Sequence, residues 1–116
     1  LRWSYKGDGT SSLVCEVAGD YKLSFSGAVY TPAGASVIGE FVRLSISLQQ
    51  TAEVLSGASK VYPFGLNFGA GMSEVGFTVI GYGRFNKGDI VELKMASTLT
   101  SSLFLDDTLF AFELLK

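Results

Sequence analysis

Apolar and polar residues alternate with a period of two along much of the chain. Tyr21, Leu23, Phe25 and Val29 fall on one side, with Lys22, Ser24 and Ser26 on the other. Successive side chains of a strand point to opposite faces of a sheet, so this spacing predicts a half-buried strand. Val42, Leu44, Ile46 and Leu48 alternate with Phe41, Arg43, Ser45, Ser47 and Gln49, which predicts the cleanest strand in the chain. Segment 77–85 places Phe77, Val79, Gly81, Gly83 and Phe85 on one face and Thr78, Ile80, Tyr82 and Arg84 on the other. Both faces carry apolar groups, so both are expected to be covered. The turn sequence Asn86-Lys87-Gly88-Asp89 follows, and then Val91, Leu93 and Met95 alternate with Glu92 and Lys94. With a glycine to supply positive φ, that arrangement predicts a hairpin.

The chain closes with Leu109-Phe110-Ala111-Phe112-Glu113-Leu114-Leu115, in which Phe110, Phe112 and Leu114 share one face. An exposed edge this apolar invites aggregation, so the terminal strand is expected inside a sheet, inside an oligomer, or both. Shorter strands are predicted at 1–5, 12–17 and 52–62. No stretch sustains apolar residues at helical spacing. About eight short strands separated by Gly, Ser and Thr clusters predict an all-β chain, a jelly-roll β-sandwich of two antiparallel sheets. Thr31–Gly39 and Gly65–Ser73 are the expected long loops. The 116 residues suit one domain spanning 1–116, with no internal repeat or linker.

Three patterns, in order, resemble the tumour-necrosis-factor/C1q superfamily. Val17-Ala18-Gly19-Asp20-Tyr21-Lys22-Leu23-Ser24-Phe25 is similar to the family's Gly-x-Tyr lead-in to a central strand. Phe85-Asn86-Lys87-Gly88-Asp89-Ile90-Val91-Glu92-Leu93 is similar to its Leu-x-x-Gly-Asp-x-Val turn, and 109–115 resembles its aromatic-small-aromatic terminal strand. The resemblance implies a jelly roll that forms a homotrimer about a threefold axis. It also implies that the terminal strand and the strand before the Gly-Asp turn face that axis. The matching positions are Phe110, Phe112 and Leu114 on the first, and Ile80 and Tyr82 on the second. The chain departs from the animal members in having one cysteine and no Asn-x-Ser/Thr acceptor, which turns the expectation toward a viral, phage or bacterial surface member.

Composition narrows the function. Charged residues are 17% of the chain, below the average for globular domains, so apolar surface at a subunit interface is expected. The net charge is −2 and the nine Lys and Arg are dispersed, which argues against nucleic-acid binding and against docking to anionic lipid. No apolar run approaches the ~20 residues of a membrane helix, so no membrane insertion is expected. The chain begins at Leu1 without a signal-peptide pattern and is read as the carboxy-terminal head of a longer chain.

Chemistry is sparse. There is no histidine, which removes Ser-His-Asp and Cys-His catalysis and His-ligated zinc. Cys15 is the only cysteine and sits in an apolar run, so it is expected to be a small buried group. Asp8, Asp20 and Asp89 lie in glycine turns, where aspartates usually satisfy local backbone donors. Asp106 and Asp107, with loop carbonyls, are the one calcium site weighed, and without a spaced acidic loop no metal or other cofactor is expected. No enzymatic activity is expected, a small glycan hydrolase being the weakest reading. Among the aromatics, Tyr21 and Tyr82 are expected in the core or the trimer seam. Trp3 and Tyr5 suit a neighbouring subunit equally well. Tyr30 and Tyr62, near loops, are the ligand-binding candidates.

The expected function is a homotrimeric head of a fibre, spike or surface protein, at a virion or cell surface or otherwise extracellular, that binds a receptor protein or a glycan. The alternative is a purely structural trimerisation or capsid-decoration module without a ligand.

Overall fold

In the computed structural model the described residues are 2–7, 12–31, 40–64, 74–98 and 104–115. They form eight strands: β1 (Trp3–Tyr5), β2 (Leu13–Cys15), β3 (Gly19–Tyr30), β4 (Phe41–Leu48), β5 (Val54–Pro63), β6 (Glu74–Phe85), β7 (Ile90–Ser97) and β8 (Phe104–Leu114). No helix occurs among the described residues, so none is long and apolar enough to cross a membrane. The strands join in one curled antiparallel sheet of order β1-β2-β7-β4-β5-β6-β3-β8.

The sheet bends where β5 meets β6. Those strands pair at a single position, Ser56 with Tyr82. Further along, the Tyr62 hydroxyl accepts from the Thr78 N–H at 3.0 Å and donates to the Thr78 carbonyl at 2.8 Å. A side chain thus takes over the hydrogen bonds that a splayed ladder leaves unmade. The bend lets β3 and β6 face β4 across a shared core. Tyr21, Leu23, Phe25 and Val29 of β3 are buried against Val42, Leu44 and Ile46 of β4, and Phe77, Val79 and Phe85 of β6 complete the wall, as the alternation predicts. Gly81 is required there for close approach: a Cβ on it would stand 2.7 Å from the Cβ of Ala58 and 3.1 Å from that of Leu55.

Trp3 is buried in its own chain's core, not held for a neighbour. Its ring meets Tyr21, Phe85 and Phe110 edge-on at centroid distances of 5.3, 5.2 and 5.9 Å. Such pairs contribute about 0.5–1.5 kcal/mol each beyond area burial.

One expectation is corrected and a second is narrowed. The turn at 86–89 forms, but β6 and β7 do not pair with each other: β6 runs along β3, and β7 lies between β2 and β4. Gly88 supplies φ 96°, and the Asp89 carboxylate accepts from the Asn86 N–H at 2.8 Å. The turn also bonds Cys15: the Cys15 carbonyl accepts from the Gly88 N–H, and the Cys15 N–H donates to the Asp89 carbonyl, both at 2.8 Å. These bonds to β2 carry the chain across to the other half of the sheet instead of back along β6. Of the places expected for the terminal strand, the interior of this sheet is not the one: among the described residues β8 pairs with β3 alone and forms the sheet's last strand.

Candidate functional site

The register across β6, β3 and β8 decides which side chains share a surface. Leu23 pairs with Gly81 on one side and Phe112 on the other, so Phe112 lies on the core side of the sheet. Phe110 and Leu114, opposite Phe25 and Tyr21, share that side. Ser24 pairs with Ile80 and Ala111, and Lys22 with Tyr82 and Glu113, so these form the outer side. The five residues matched to the trimer axis therefore separate into two groups. Ile80 and Tyr82 belong to the outer face, whereas Phe110, Phe112 and Leu114 border the core on β8.

On the outer face, two complete rows of three strands carry no charge: Ile80–Ser24–Ala111 and Thr78–Ser26–Leu109. Tyr82 is 48% exposed, Ile80 36% and Leu109 68%. Small serines on β3 lie between Thr78 and Ile80 on β6 and Leu109 and Ala111 on β8. Charge lies beyond these rows at both ends: Arg84 and Asp20 approach at 3.6 Å and Lys22 faces Glu113 in register at one, and exposed Glu74 pairs with Tyr30 at the other. A shallow depression of about 190 Å³ opens between β3 and β8, lined by Lys22, Ser24, Ala111, Phe112 and Glu113. Leu109 and the Ile80–Ala111 row were missed as a unit from the sequence, and the signal present was the polar face of β3 being serine-rich rather than charged.

Of the ligand candidates, Tyr62 is half-buried and its hydroxyl is engaged with Thr78, while Lys60 Nζ stands 5.5 Å over its ring. Tyr30 is half-buried at the end of β3. Tyr21 is fully buried and donates to the Val17 carbonyl at 2.6 Å. The expected recognition loops, 31–39 and 63–73, lie outside the described residues apart from Thr31, Pro63 and Phe64, and so do Asp8 and the side chains of Asp106 and Asp107. Among the described residues no three His, Cys, Asp or Glu gather to hold a metal.

Cys15 is buried, as its apolar run predicts, and its thiol donates to the Val17 carbonyl at 3.2 Å. Burial pushes this thiol above its ordinary value, Asp89 and Glu16 add to the rise, and the Val17 hydrogen bond opposes it. A thiol held protonated inside a core is not a nucleophile.

No family model matches the chain, and no curated protein matches its sequence.

Proposed function

We propose that the chain is a trimerising binding head, and that copies meet through the outer face of β6, β3 and β8. The observation that carries this reading is the pair of charge-free rows with exposed Ile80 and Leu109, next to which Tyr82 is also exposed. Contiguous exposed apolar surface of this kind marks interaction sites. Ile80 and Tyr82 keep the seam role that the resemblance implies. Phe110, Phe112 and Leu114 lie on the sheet's other side and fall outside this seam.

The fold proposed is a jelly roll of the tumour-necrosis-factor/C1q type. In support, the sheet order places β6, β3 and β8 side by side at one end and β2, β7, β4 and β5 side by side in the rest, with the chain passing between the two sets. The threefold count rests on the resemblance. Receptor or glycan recognition at a virion or cell surface follows from the same resemblance, with three weak sites acting together through avidity. The purely structural module is the second reading, and the engagement of the Tyr62 hydroxyl within its own sheet favours it.

Light scattering coupled to gel filtration tests the assembly. The expected mass is three times the 12.4 kDa of one chain. A monomer at all concentrations overturns the seam and, with it, the trimeric binding head.

A further inference from the structure

The outer face of β4, β5 and β7 lies away from the proposed seam. In these three strands Arg43, Lys60 and Lys94 stand against a single carboxylate, Glu92, although the chain as a whole is negative. Glu92 lies 3.6 Å from Lys94 and accepts from the Gln49 amide, so it is already engaged. Arg43, exposed on the central strand of this face, has no carboxylate partner among the described residues, and its cross-strand neighbours are Val61 and Ala96. Its guanidinium donates to the Ser59 hydroxyl at 3.1 Å. That bond orients the group and leaves most of its five N–H donors unused. Around it, Ser45 stands in register with Ser59 on one side and Lys94 on the other, and Phe41 and Val61 are exposed.

We infer that this face binds a saccharide carrying an acidic group, with Arg43 holding the acid, the Ser45 and Ser59 hydroxyls meeting the sugar's hydroxyls, and Phe41 and Val61 lying against its C–H surface. A guanidinium matches two oxygens of a carboxylate or sulfate at once, which the point charge of a lysine does not. Serine hydroxyls donate or accept as the sugar requires, and an exposed aromatic beside them gives a sugar ring an apolar contact. An acidic peptide shares the charge but not the fit: β4 is paired on both sides, with β7 and β5, and offers no free backbone to an added strand. This site rests on the binding-head reading for its role and names the ligand of that head, but it does not involve the seam. An open face holds one sugar weakly, and copies in an assembly multiply it.

The probes are glucuronic acid and a sulfated glucose, with glucose, acetate and inorganic sulfate as controls, followed by NMR shifts of the backbone amides and the arginine side chains up to about 50 mM. At least one acidic sugar is expected to move the Arg43, Ser45 and Ser59 signals saturably, and which one does so assigns the acid as carboxylate or sulfate. Glucose is expected to leave them in place. Arg43→Ala is expected to weaken the acidic sugar about tenfold, and Arg43→Lys to recover part of that loss, with the solution mass unchanged in both. No response to either acidic sugar, or undiminished binding by Arg43→Ala, overturns the site. Acetate or inorganic sulfate binding as tightly as the sugars overturns the saccharide and leaves an adventitious ion only. A glutamate-rich peptide that binds here more tightly than the sugars assigns the face to an acidic peptide and overturns the glycan. A monomer that still binds the acidic sugar overturns the seam and keeps this site, whereas a trimer that binds none overturns this site and keeps the seam.

Discussion

The two outer faces of the curled sheet differ sharply in chemistry. Over β4, β5 and β7, Arg43 stands opposite Ala96 and Val61, and Ser45 opposite Lys94 and Ser59. Arg43 donates to the Ser59 hydroxyl at 3.1 Å, and Lys94 lies 3.6 Å from Glu92. Phe41 and Val61 are exposed there, but Arg43 adjoins both. Over β6, β3 and β8, two whole rows contain no charge. Both faces cover the same core, so stability of the single chain does not demand the difference. A face that remains in water tolerates charge, whereas one that meets another surface must lose it, because an unpaired buried charge is costly.

Substitutions on the two faces separate assembly from folding. The largest effect is expected from Ile80→Asp, which places a carboxylate in every copy of the seam. The solution mass should fall threefold, to one chain, with unfolding in denaturant little changed, since Ile80 is already partly exposed. Arg43→Asp on the other face should leave the mass unaltered. If Ile80→Asp keeps the full oligomer, the apolar face is not the seam.

A smaller effect is expected one residue along β6. Gly81→Ala drives an inward-pointing methyl into Ala58 and Leu55, so it should cost about 1–3 kcal/mol of folding stability and leave the oligomer mass alone. A Gly81→Ala variant as stable as the parent in denaturant would mean that β5 and β6 stand further apart than described. Smaller still, Tyr62→Phe removes the hydroxyl that bridges to Thr78 at the bend between the two halves. The expected loss is about 1–2 kcal/mol, because both main-chain groups of Thr78 lose a partner. A glycan titration showing affinity lost with no loss of stability would instead return Tyr62 to a binding role.

Much of the single-strand architecture was legible. Alternation along 21–29 and 42–48 placed Tyr21, Leu23, Phe25, Val42, Leu44 and Ile46 inward, and all are buried. The apolar run around Cys15 predicted its burial. That Ile80 and Tyr82 lie on the other side of the sheet from Phe110, Phe112 and Leu114 was not legible. A period of two says which residues of one strand share a face, but not which face of a second strand they join. That depends on the pairing of Leu23 with Gly81 and Phe112. The turn at 86–89 was readable from Gly88 and Asp89 for a similar reason, while its destination was not. Local φ and side-chain capping make a turn, and the bonds to Cys15, some seventy residues earlier in the chain, decide where it leads.

By itself, then, the sequence determined an all-β chain, the inward face of each long strand and a thiol enclosed in the core, because these follow from local periodicity and from the cost of exposing apolar groups. Tertiary structure alone decided the strand order and the place of β8 at the sheet's end. Those depend on hydrogen bonds between residues far apart in the chain, and no local pattern encodes which distant strand supplies the partner.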